Sequence, residues 1–136
     1  MPKTEPRWVC RLVVDAIQAD MLLTHGGMPG LRDENALESV LARPRQRFAY
    51  EPDTDLARLA AAYGYGLVRD HPYNDGNKRV GFVVMATFLG LNGYECIATE
   101  SDVVTTIVAL ASGSLHEEAL ADWVRAGTMK RLPPSR

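Results

Sequence analysis

Cysteine is almost missing from this chain: two residues, Cys10 and Cys96, lie far apart among 136, with no CxxC and no cysteine–histidine spacing around them. That argues against a disulfide framework and a zinc site, and reads as two reduced thiols in a cytosolic protein. Long apolar runs are missing too. The opening stretch MPKTEPRWVCRLVVDAIQAD lacks the uninterrupted apolar segment of a signal peptide. The most apolar run, Val80 to Leu91, falls well below the ~20 residues needed to span a bilayer. We therefore expect a cytoplasmic protein without membrane contact. An excess of either charge is likewise absent. A formal net charge of −2 gives no general reason to expect direct nucleic-acid binding. Basic residues do gather at Arg69, Lys78 and Arg79, and again at Arg43, Arg45 and Arg47, where a solvated surface is the plain reading. No internal repeat appears. No GxxxxGK[ST], HRD or DFG signature is present, which sets aside P-loop NTPases and standard protein kinases as far as motifs can.

What remains is the pattern of an ordinary globular protein, 46% apolar and 24% charged, long enough to bury a real core in one domain. Apolar residues recur at helical spacing from Trp8 to Leu23, stopped by Gly26 and Gly27. After a glycine- and proline-rich link, Asp33 can cap a second helix that Pro44 should end. Phe48, Ala49 and Tyr50 then fall in an irregular stretch, as a short extended flap. Asp53, Thr54 or Asp55 can cap a third helix with Leu56, Leu59, Ala60, Tyr63 and Leu67 on one face. Val80 to Leu91 is apolar around most of its circumference and predicts a buried central helix, closed by Asn92-Gly93. Tyr94 to Ala98 reads as extended, Thr99 or Ser101 opens a further helix, and Ser114 to Glu117 matches a capping box for the last one. The fold class is all-α, a compact single-domain helical bundle over 1–136, with its core at about 8–126 and a frayed tail at 127–136.

Between the third helix and the buried one stands HPYNDGNKRV, an almost wholly polar decapeptide between two of the most apolar stretches. Pro72 disfavours helix at His71 and Gly76 permits a positive φ, so this is a loop feeding a helix that starts near Asn77. The helix N-terminus, with amides around Gly76 and Asn77, offers an anion cradle. Lys78 and Arg79 occupy the first turn, where cations oppose the helix dipole at a cost of about 0.3–1 kcal/mol each unless an anion binds there. Asp75 is a hard carboxylate suited to Mg2+ that bridges phosphates, and His71 can accept a proton from a hydroxyl. Taken singly, Asn74-Asp75-Gly76 is a turn, His71 a helix C-terminal residue and Lys78-Arg79 surface charge. Together they compose what phosphoryl or nucleotidyl transfer requires. An EF-hand fails on spacing, because oxygen ligands would be needed where His71 and Tyr73 stand and an acid where Phe82 stands.

The decapeptide resembles the Fic/Doc signature HPFx[DE]GN[GK]R, with Tyr73 in place of phenylalanine. The flanking HGGMPGLRDENALESVLARP, FAYEP, LAAAYGYGLVRD and FLGLNGYE extend the resemblance to the Doc (death-on-curing) branch, from about residue 15 to about residue 125. It implies a compact helical Fic fold and transfer of part of a nucleoside triphosphate to a protein hydroxyl. On this resemblance His71 is the general base, Asp75 the Mg2+ ligand, and Gly76 with Asn77 the backbone anion hole. Lys78 and Arg79 contact phosphates of ATP, and Phe48, Ala49 and Tyr50 form a target-docking flap. The AMP-transferring branch carries a second arginine where this chain has Phe82, and a glycine where it has Lys78. That departure favours transfer of the γ-phosphate of ATP over AMP transfer, and the resemblance to the Doc branch implies a toxin kinase acting on a protein such as elongation factor Tu. An inactive nucleotide-binding module is disfavoured because none of the expected site residues is missing. The resemblance also implies a cognate antitoxin whose C-terminal segment covers the site, and no inhibitory [ST]xxxE[GN] segment is recognisable in this chain.

Overall fold

The computed structural model describes residues 4–132. The elements run α1 (Arg11–His25), α2 (Glu34–Tyr50), α3 (Leu56–Asp70), α4 (Asn77–Leu91), β1 (Tyr94–Cys96), α5 (Glu100–Ser112), α6 (Glu117–Ala126) and β2 (Thr128–Lys130). The all-α class holds, with one small antiparallel sheet added.

Two helices share the centre. In α4 every residue from Val80 to Gly90 is buried or half-buried, as its continuous apolarity predicts. α3 is buried from Leu59 through Gly64 and again from Gly66 to Val68, and it packs against α4, α6 and α2. Small residues allow the α3–α4 approach: a Cβ on Gly81 would lie 2.7 Å from Val68 Cγ2 and 3.3 Å from the Gly64 carbonyl. Tyr63 and Phe88 are fully buried and their rings meet at 5.3 Å, while Trp8 bridges Phe88 and Phe48. Among the described residues no helix is long and apolar enough to cross a membrane.

Several boundaries differ from the sequence reading. The first helix begins at Arg11 rather than Trp8. Pro44 does not end α2; it is buried inside the helix, which runs on to Tyr50. Tertiary contacts override the lost hydrogen bond: Arg43 and Arg47 on either side of the proline both pair with Glu117, and Phe48 packs on Trp8. Phe48, Ala49 and Tyr50 are therefore the last turn of a helix, not an extended flap. Asp55 and Thr99 cap α3 and α5 through their side chains. Ser114 does not cap α6, because its hydroxyl bonds the Ala109 carbonyl at the exit of α5 and the N-cap position falls to His116. The tail is not frayed at its start: Thr128–Lys130 pairs with Tyr94–Cys96 in the register Tyr94↔Lys130, Glu95↔Met129, Cys96↔Thr128. The predicted fraying of 133–136 lies outside the described residues.

Candidate active site

The loop between α3 and α4 is built by its proline and its glycine. Asp70 ends α3, and His71 turns left-handed at φ 47°, ψ 58°, the one described non-glycine residue with positive φ. For an L-residue with a Cβ that conformation costs about 1–2 kcal/mol. Pro72 follows with no N–H to return to the helix, so a Schellman closure is not available.

The link between α1 and α2 supplies the missing partners. The Arg32 guanidinium donates from Nε to the His71 carbonyl and from Nη2 to the Asp70 carbonyl, both at 2.6 Å. The amides of Arg32 and Asp33 donate to the Pro72 carbonyl at 2.8 and 3.0 Å. Asn74 donates from its amide to the Gly30 carbonyl and from its side chain to the Pro29 carbonyl. The Met28 amide donates to Asp75 Oδ2 at 2.7 Å. Residues 28–33 thus form a belt along the loop.

From below, the loop is anchored by Tyr73 and Asn77. Tyr73 is 2% exposed and its hydroxyl donates to Asp15 Oδ1 on α1 at 2.7 Å. Burial, then the hydrogen bond to Asp15 and its charge, push the phenol above its ordinary value, so it stays a donor. The buried Asn77 side chain accepts from the Tyr73 amide and donates to the Tyr73 carbonyl, at 3.0 and 2.9 Å. Its amide group is thereby spent on the loop.

At Gly76 (φ 82°) the chain enters α4 with no side chain capping the helix. The first helical bond runs from the Val80 amide to the Gly76 carbonyl, so the amides of Asn77, Lys78 and Arg79 precede the helical ladder. They point along the axis with the positive end of the dipole. A cleft of about 610 Å³ opens there, lined by Asp75, Gly76, Asn77, Lys78 and Arg79. The structure thus brings together five of the sequence-predicted site residues. His71 is exposed and does not line this cleft. Phe48, Ala49 and Tyr50 also stand elsewhere; Phe48 lines a second cavity of about 470 Å³ beside Thr54, Leu89 and Thr128, with none of the motif residues.

The sequence reading missed the rest of the cleft wall. Met21 and His25 reach it from α1, Phe82 from α4, and Glu100, Val104 and Val108 from α5. Val104 and Val108 are 57% and 55% exposed, and an α5 apolar face broader than its core requires was the available signal. His25 left no signal beyond its place at the end of α1.

Among the described residues no group of three or more His, Cys, Asp or Glu converges as a metal nest. Asp75 keeps Oδ1 free of the belt contact that occupies Oδ2. One carboxylate beside a helix N-terminus fits Mg2+, which is commonly held by one or two carboxylates while phosphate and water complete its shell. Arg69, by contrast, caps rather than serves the site: its guanidinium donates to the Ala111 carbonyl at the end of α5. Arg43 and Arg45 lie over the Tyr65 and Trp8 rings.

The fold and the cleft define a helical domain with an open cleft at the junction between a glycine-bearing loop and the N-terminus of a buried helix. The chain belongs to the Fic/DOC family, whose sequence profile matches residues 8–89. It is 33% identical to the protein kinase doc of Escherichia phage P1 over 74% of this chain and 79% of that protein. It is also 37% identical to the toxin Doc of Mycolicibacterium smegmatis, over 60% of this chain and 62% of that one.

Proposed function

We propose that this chain is a Doc-like toxin that transfers the terminal phosphate of ATP to a hydroxyl of a second protein, with elongation factor Tu as the candidate target. The observation that carries this reading is the shared cleft of an uncapped α4 N-terminus, the Asp75 carboxylate and the Lys78 and Arg79 cations. The names of the two relatives, a protein kinase and a toxin, support it.

In this reading the amides of α4 and the two cations bind phosphate oxygens and neutralise charge that builds in the transition state. Mg2+ at Asp75 would supply further charge neutralisation between phosphates. His71 stands outside the cleft, at the solvent-facing corner of the loop. That place suits a base whose proton donor is the hydroxyl of an arriving protein. Phe82, on the cleft wall in the next turn, offers no cation for a further phosphate group, which weighs against AMP transfer. A cognate antitoxin segment would cover the cleft, with Val104 and Val108 as its apolar footing.

The test uses ATP labelled in turn at the γ- and α-phosphates, with Mg2+ and a translation extract. Label from the γ position, and a phosphate-sized mass increment on the target, is the expected result. Transfer of the α label would mean nucleotidyl transfer, and no label a binding module. His71→Ala should lower the rate by about 10²–10⁴-fold with its circular dichroism unchanged; wild-type turnover in that variant would remove His71 from the mechanism.

A further inference from the structure

The belt does more than join two helices, since Met28, Pro29, Gly30, Arg32 and Asp33 all hydrogen-bond the motif loop. Arg32 is its most invested member. Its main-chain N–H is fixed on the Pro72 carbonyl, and the next residue, Asp33, both bonds the same carbonyl and caps α2 through its side chain. The Arg32 side chain therefore starts from a fixed point. Its planar fork then reaches two consecutive carbonyls, those of Asp70 and His71. A lysine ammonium at the end of a flexible stem could not hold both with the same geometry. The peptide carbonyl of His71 directly sets the ψ of that residue, and hence the direction in which its Cα–Cβ bond leaves the chain.

We propose that Arg32 is a positioning residue for the transfer reaction: by gripping the Asp70 and His71 carbonyls it holds His71 in its left-handed conformation and so places the imidazole. The proposal rests on the reading of His71 as the base given above. Arg32 touches neither the cleft nor any phosphate-binding group. Its effect therefore falls on the proton-transfer step and leaves nucleotide binding alone.

The experiment compares the wild-type chain with Arg32→Ala, Arg32→Lys and His71→Ala. Two quantities are read: the kinetics of γ-phosphate transfer, and the His71 imidazole signals in 15N NMR spectra, assigned by their loss in His71→Ala. For Arg32→Ala, kcat should fall about tenfold or more, since small misplacements of a reacting group carry large rate penalties. KM for ATP should stay within about twofold, the signature of an interaction felt only in the transition state. The His71 signals should shift or broaden. Lysine, able to satisfy one carbonyl, should give an intermediate rate and keeps the test alive if the alanine variant does not fold. A kcat close to wild type overturns the proposal, and so does a fall in kcat with His71 signals unmoved. If the wild-type chain itself transfers nothing, the functional reading fails separately, and the NMR comparison alone decides whether Arg32 holds His71.

Discussion

Asn77 shows how one side chain that lines the candidate site can be committed to the loop beside it. The sequence assigns only the main-chain N–H of Asn77 to a backbone anion hole, and the structure shows its side-chain amide bonded twice to Tyr73. Both bonds are buried. Asn77→Ala should therefore destabilise the protein by about 2 kcal/mol or more, since two buried main-chain groups lose their partners. Urea unfolding measures this, and an unchanged midpoint would show that water takes the place of the amide. The positions from Asp75 to Arg79 were legible because loop, glycine, cation and helix start are adjacent in the chain. The role of Arg32 was not: it bonds carbonyls 38 and 39 residues away, and local pattern carries no information about that distance. The same holds for Asp15, which accepts from the Tyr73 hydroxyl 58 residues downstream.

Helices were legible by period and cap, and misread where tertiary contacts outweighed local preference. The burial of α4 is legible because Val80 to Leu91 is apolar around most of its circumference. The run of α2 through Pro44 was not, because its support comes from Glu117 on another helix. Glycines offer a sharper test of the α3–α4 contact. A methyl on Gly64 would come within 2.3 Å of Met85 Sδ and 2.7 Å of its Cγ, atoms of a buried but unbranched side chain with three rotatable bonds. A methyl on Gly81 meets the stiff, buried Val68 and the carbonyl oxygen of Gly64, which cannot move without the helix. Gly81→Ala should cost about 1–3 kcal/mol, more than Gly64→Ala despite the longer distance. On the proposed function, in which Lys78 and Arg79 of α4 bind ATP, the same change should also weaken that binding. Equal thermal midpoints for the two variants would contradict this ranking.

Across the whole molecule, helices far apart in sequence are tied by charge at their ends. Asp55 caps α3 by accepting from the Arg58 amide at 2.9 Å, and takes two bonds from Arg125 on α6 at 2.8 and 3.2 Å. Burial alone would raise the Asp55 carboxyl, but Arg125 and the Arg58 amide together outweigh it and hold it below its ordinary 3.8. A carboxyl depressed by folding contributes stability that is fully present above its unfolded value and is lost as pH falls through the folded one. Stability should therefore drop as acid is added below about pH 4, and Asp55→Asn should flatten that drop. Urea titrations at descending pH would show it; parallel curves for both proteins would remove Asp55 from the acid response. The all-α class was visible in the sequence, yet the pairing of Thr128–Lys130 with Tyr94–Cys96 was not, since three-residue strands leave too short an alternation to read.

The tip of α4 is the candidate anion site, and the body of the same helix is among the parts furthest from water. Buried core helices open only near global unfolding, and the geometry of the tip is inherited from the packing beneath it. Affinity for phosphate and the native state should vanish at one temperature, leaving a warmed sample with competent molecules and unfolded ones and no folded, blunted form between them.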